Sequence, residues 1–280
     1  MNGTAGTGPG EPVYVRRFDT PDRILHGMLM TSFLGLAFTG IPLLFATKRW
    51  AGWLSRLVGG FKVASTLHRV FAAILILTFI LHLFRLFKRI FVGKEYSVLW
   101  GPGSMVPQPK DILQLVQHVR WFFGRGPRPL FDRFTYWEKF DYWAVFWGMG
   151  IIGGSGLVLW FPKFWAKFLP GWLFNVTTLI HGEEALLAVV FIFTIHFFNG
   201  HLRPEKFPMD TVIFTGIVPL EEVRHDRPAE YERLVAEDRI PEITVPSPTP
   251  VLQRRGKIVG TVAVSLGLLL VTLTLLALLS

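Results

Sequence analysis

The sequence predicts an all-α integral membrane protein, built as a four-helix transmembrane bundle with one additional C-terminal transmembrane helix. Three observations carry this expectation. Residues 24–46, 142–162 and 258–280 contain no Asp, Glu, Lys or Arg. Each reaches the roughly 20 residues that a helix needs to cross a hydrocarbon layer about 30 Å thick. Two more apolar runs, 70–84 and 185–202, are bounded by Arg69 and Arg85 and by Glu183 and Glu184. Mean hydropathy is +0.41, high for a water-soluble domain. Lipid offers no partners to backbone N–H and C=O groups, so the five runs are expected as helices.

Taken in order, residues 1–23 form a Gly-rich polar tail without the apolar core of a signal peptide. Helix 1 is expected over about 24–46 and helix 2 over about 63–87. The loop 88–139 follows, with an interfacial helix over 111–123 where apolar residues recur near a period of 3.6. Helices 3 and 4 are expected over 140–161 and 176–201, completing a bundle domain at 24–202. Residues 203–256 combine charge clusters with a Pro-rich linker, 241–250. Helix 5, within 257–280, has no aromatic, charged or His residue over 258–279 and reads as an anchor or packing helix. No clear internal repeat stands out.

Charge orients the chain. Lys and Arg number 3 in residues 1–23, 10 in 85–139 and 9 in 199–257, against 4 in 47–62 and 2 in 163–175. With five spans the first three groups share one side. The positive-inside rule then puts the N-terminus in the cytoplasm and the C-terminus outside, in a bacterial inner membrane. A pI near 10.0 is explained by this loop asymmetry and implies no nucleic-acid partner.

The absence of cysteine excludes disulfides, cysteine-held iron–sulfur clusters and covalently attached haem. Histidine takes their place. His26, His68, His82, His181 and His196 lie within expected spans and His201 ends the fourth. Ionisable groups at that depth are costly and default to function, although a satisfied core histidine is the plainer explanation for any one alone. His68 and His82 are 14 residues apart, His181 and His196 are 15. On helices these offsets are about −40° and +60°, with rises of about 21 and 22 Å. Helices 2 and 4 run in the same direction, so His68 and His181 share the outer level, and His82 and His196 the inner one. Two bis-histidine levels about 20 Å apart suit two stacked b-type haems in a haem-binding bundle. His26 also falls at the inner level. His196 therefore has two candidate partners, His26 and His82, or a third haem uses His201.

Glycines at 27, 35 and 40 and at 148, 150, 153, 154 and 156 would admit a macrocycle or simply a neighbouring helix. Arg69 and Arg85 would pair with propionates or snorkel to the interface. Glu183 and Glu184, within a turn of His181, are candidate catalytic groups for proton exchange, as is Asp22 on the inner side beside Arg23, Lys139 and Asp141. A helix cap or interface charge is the plainer role for those inner groups.

The order of these features resembles the cytochrome b (gamma) subunit of membrane formate dehydrogenases and nickel–iron hydrogenase cytochromes b. RRFDTPDRILHGMLMTSFLGLAFTG (16–40) resembles the family's first helix and LHRVFAAILILTFILHLFRLF (67–87) its second. YWEKFDYWAVFWGMGIIGGSGLVLWFP (136–162) and LIHGEEALLAVVFIFTIHFF (179–198) resemble the third and fourth, and RHDRPAEYERL (224–234) the tail. The likeness covers about residues 15–235. It implies His68 with His181 on the outer haem, His26 with His196 on the inner, and a menaquinone site beside the inner haem. His82 is extra and resembles the helix of bc-type cytochromes b. The fourth-helix spacing is one residue longer than the formate dehydrogenase type has, and helix 5 is additional.

The expected function is therefore electron transfer between quinone and a partner redox subunit outside the membrane, a multihaem c-type cytochrome or an iron–sulfur protein. A stand-alone transmembrane haem reductase is the nearest rival, though no nucleotide-binding motif is present. A proton-coupled transporter would carry Asp or Glu deep in its spans and broken helices, where this chain has mostly His.

Overall fold

The computed structural model describes residues 12–204, 206–207 and 209–279. It is 74% helical, and five helices are long and apolar enough to cross a membrane. These spans are Thr20–Leu44, Phe61–Val92, Tyr136–Trp160, Gly171–Leu202 and Pro250–Leu279. The chain is thus an all-α multi-pass membrane protein.

All five spans begin earlier than hydrophobicity alone indicates, and in three of them a polar cap adds a turn before the apolar run. Asp19 Oδ1 accepts from the Asp22 N–H at 2.8 Å, and Pro21 fits the first turn of the first span. Thr135 and Glu138 form a capping box before the third, with Glu138 Oε2 taking the Thr135 N–H at 2.8 Å and Thr135 Oγ1 the Glu138 N–H at 3.4 Å. Thr249 Oγ1 accepts from the Leu252 N–H at 3.3 Å ahead of Pro250.

The chain divides into two compact units. The polar unit comprises residues 1–23, 84–144 and 211–254, which overlap the three segments that the charge count assigns to one side. It holds a terminus of four of the five spans. Residues 14–16 of the expected tail and 244–245 of the expected linker are strands of a small three-stranded antiparallel sheet. Strand β1 (Tyr14–Arg16) pairs Val15 with Val218 of β2 (Ile217–Pro219) and with Thr244 of β3 (Thr244–Val245). Val15, Val218 and Val223 form its small core. Ion pairs do more of the joining. Buried Arg17 meets Glu230 at 2.9 Å, Arg133 meets the same carboxylate at 3.1 Å, and Arg227 meets Glu138 at 2.8 Å. Burial, with Arg227 nearby, lowers Arg17 to about 10, so it stays charged at neutral pH beside Glu230. The interfacial helix lies at Pro109–Phe122, where buried Lys139 Nζ donates to both Asp111 oxygens at 2.9 Å.

The helical unit comprises residues 24–83, 145–210 and 255–280. Within it the fifth span is the most buried, through a seam of Gly256, Gly260, Ala263, Gly267, Leu270 and Thr274. A Cβ at Gly267 would lie 2.5 Å from the Phe197 ring and 2.7 Å from that of Phe193. The small residue is what admits these rings. Of its two expected roles, the fifth helix takes that of packing helix.

Candidate functional site

His68 and His181 come together within the helical unit, their ring centroids 6.3 Å apart and their planes at 82°. A metal–imidazole bond is about 2.0 Å long. A five-membered ring with bonds near 1.33 Å carries its atoms about 1.1 Å from the centre. Two imidazoles on opposite sides of one metal ion therefore have centroids about 6 Å apart, the separation found here.

The other edge of each ring is fixed by hydrogen bonds. His181 Nδ1 lies 3.0 Å from the Ile152 carbonyl oxygen and 3.2 Å from Ser155 Oγ. A carbonyl only accepts, so Nδ1 carries the hydrogen, and in the neutral ring Nε2 keeps its lone pair. His68 Nδ1 lies 3.1 Å from Thr39 Oγ1, with the Leu36 carbonyl as a further partner. The Thr39 hydroxyl spends its own hydrogen on Gly35 O at 2.7 Å, so His68 Nδ1 is again the donor. A ring held through Nδ1 with Nε2 available is the usual arrangement of a metal-binding histidine and its supporting shell.

The two supporting sets correspond residue by residue, a repeat not apparent in the sequence. The first span presents the carbonyl of Leu36, the hydroxyl of Thr39 and the bare backbone of Gly40 to His68; the third presents Ile152, Ser155 and Gly156 to His181. A Cβ at Gly40 would fall 3.0 Å from His68 Cε1, and one at Gly156 would fall 3.1 Å from His181 Cε1. These two glycines make room for the imidazoles. Gly35 instead receives the Phe71 ring, and Gly27, Gly150 and Gly154 meet nothing within 4 Å. Thr39, Ser155, Leu36 and Ile152 escape a search for metal ligands. Their signal is a hydroxyl–glycine dipeptide inside an apolar span.

A π turn, Met149–Gly153, precedes Ser155 and contains Ile152. Two more, Ile192–His196 and Phe198–Leu202, shape the fourth span. A π turn accommodates one residue more than an α turn. The first therefore absorbs the extra residue between His181 and His196, bringing the offset from about +60° to about −40°, the value for His68 and His82. The second draws His201, five residues on, towards the face of His196. His26, His196 and His201 are accordingly electrostatic neighbours, and Asp210 lies near His201. Phe197 stands 6.3 Å from both His196 and His201. His82 meets the Phe146 ring edge-on at 6.2 Å.

The remaining candidates separate by their partners. Arg85 pairs with Asp19 at 2.5 Å and with Asp22 at 3.2 Å, an ion pair joining the start of the first span to the end of the second. Arg23 donates to the Phe214 carbonyl, through Nε at 2.9 Å. Arg69 is exposed, as is Glu183. Glu184 is half-buried and accepts from Trp147 Nε1 at 3.3 Å.

The residues at the His68–His181 level thus fit a bis-imidazole metal group such as haem b. No protein-family model matches this sequence, and no curated protein matches it.

Proposed function

We propose that this chain is the membrane cytochrome b subunit of a respiratory complex, moving electrons between quinone and a redox partner outside the membrane. The supporting observation is the His68–His181 pair, spaced for one metal atom and held at Nδ1 on both sides. Haem b would supply a one-electron centre at this level and a second at the level of His196. His68 and His181 would hold the first; His26 and His196 would hold the second, with His201 beside them. Leu36, Thr39, Ile152 and Ser155 orient the first pair, and Gly40 and Gly156 keep space for the rings.

Quinol oxidation releases two protons with its two electrons, and quinone reduction takes both up. A proton-exchanging group is needed near the ligands. Glu184 fills that role, three residues from His181 and held by one neutral donor, Trp147. Asp22 is committed to Arg85 instead, and Lys139 to Asp111. The partner is a multihaem c-type cytochrome or an iron–sulfur subunit, since a chain without cysteine holds no iron–sulfur cluster of its own. Charge supports the reading of the compartment. Most of the three segments richest in Lys and Arg falls in one unit, in keeping with a cytoplasmic face of an inner membrane for that unit and a C-terminus outside under the positive-inside rule.

A pyridine-haemochrome titration of the purified full chain tests this. Two haems b per chain are expected, falling to one in His68→Ala, His181→Ala and His26→Ala and staying at two in His82→Ala. Protein isolated from haem-replete cells without haem b would sink the proposal.

A further inference from the structure

The helix Pro109–Phe122 is inside out by the standards of a helix packed on a water-soluble unit. Its inward side is polar. Asp111 is buried against Lys139, Gln114 Nε2 donates to Leu130 O at 3.1 Å, and His118 Nδ1 lies 3.0 Å from the Tyr136 hydroxyl. Its outward side is apolar, with Ile112, Leu113, Val116, Val119 and Phe122 all exposed. In water this would be a large unpartnered apolar patch. On a bilayer surface it is the expected immersion of one helix face. The third span begins at Tyr136, after a connection of thirteen residues.

Beyond this helix the chain turns through Gly124 and Gly126, both at positive φ. A concavity of about 440 Å³ opens there, and its lining includes Gln117, Arg120, Arg125, Arg128 and Leu130 but no carboxylate. Arg128 is shared with Asp226 at 3.8 Å and lies over the Trp121 ring. Arg120 and Arg125 are exposed and form no ion pair among the described residues. One cation at this helix C-terminus would offset the roughly half negative charge of the helix dipole. Three leave a site with net positive charge at the edge of an apolar surface.

We propose that this concavity binds the headgroup phosphate of an anionic phospholipid. Arg120 and Arg125 contact the phosphate, while the acyl chains run along the apolar face of Pro109–Phe122. The charge selects an anion, and the exposed Leu130 in the lining, with the apolar side of the preceding helix, selects one that carries hydrocarbon. This reading does not depend on haem.

The test is native mass spectrometry of the full chain in dodecyl maltoside, titrated with phosphatidylglycerol or with phosphatidylcholine. Helicity by circular dichroism serves as the folding control. The wild type should retain phosphatidylglycerol selectively. R120Q/R125Q should weaken that retention by about tenfold to thirtyfold without changing phosphatidylcholine binding, and R120K/R125K should restore most of it. Equal retention by wild type and R120Q/R125Q would overturn the proposal. So would phosphatidylcholine held as tightly as phosphatidylglycerol, or displacement of the lipid by millimolar inorganic phosphate, which would mark a free-anion site.

Discussion

The two histidine levels of the helical unit reach their geometry by different means. At one, His68 and His181 sit in regular helix and are held by neighbouring spans, each supplying a carbonyl, a hydroxyl and a glycine. At the other, the fourth span changes its own winding, and two π turns bring His196 and His201 towards His26. The first level is fixed by hydrogen bonds from neighbouring spans, one of them from within the π turn Met149–Gly153, and the second by the register of the fourth span itself. A ligand set can therefore be disturbed at one level while the other stays intact, and the disturbing change differs in kind.

The largest effect is expected from register. Inserting an alanine after Leu187, in the regular helix between His181 and the π turn Ile192–His196, rotates His196 and His201 relative to His181 by about 100°. One of two haems should be lost from the haemochrome count while that of His68 and His181 remains. Retention of both would show that the register of the fourth span does not position His196.

The same contrast explains what was legible in the sequence. Span existence was plain, because composition alone decides it. The pairing of His68 with His181 was legible from the 14- and 15-residue spacing, yet the winding that brings His196 near His26 was not. Helical-wheel counting assumes 3.6 residues per turn, and an i→i+5 turn has no compositional signature. The supporting hydroxyls were missed for another reason: Thr and Ser commonly bond their own helix, and only the tertiary pairing shows Thr39 and Ser155 reaching an imidazole as well. The polar unit reads in the sequence as tail, loop and linker because its contacts are remote along the chain. Arg17 and Glu230 are 213 residues apart, and no local pattern announces such a pair. The interfacial helix showed its period, but not that its polar side faces inward.

Steric changes should sharpen the comparison next. Gly156→Leu places a side chain where a Cβ already approaches His181 Cε1 at 3.1 Å; Gly267→Leu drives into Phe193 and Phe197, the latter beside His196. Overpacking of this kind costs about 1–3 kcal/mol, or about five- to hundredfold in an equilibrium. Haem retention during chelating or apo-myoglobin competition should fall at one level in each variant. Gly156→Leu should spare the haem of His196, and Gly267→Leu that of His68 and His181. Spectral loss at both levels in either variant would mean that the levels are mechanically coupled.

The smallest effect tests the correspondence between the first and third spans. Thr39→Val and Ser155→Ala each remove one acceptor of an imidazole N–H and leave a backbone carbonyl, Leu36 or Ile152, in place. Losing one of two partners costs about 0.5–1.5 kcal/mol, roughly two- to tenfold in haem affinity. Because the two sets match residue by residue, the two variants should weaken binding equally and lower the basicity of both ligands, measurable as parallel shifts in the midpoint potential of the same haem. Thr39→Val combined with Ser155→Ala should then cost more than either, since each ligand loses its own support. If Ser155→Ala alone had an effect, the Leu36–Thr39–Gly40 set would be ordinary helix packing, and His181 would be the only ligand whose orientation is imposed from outside its own span.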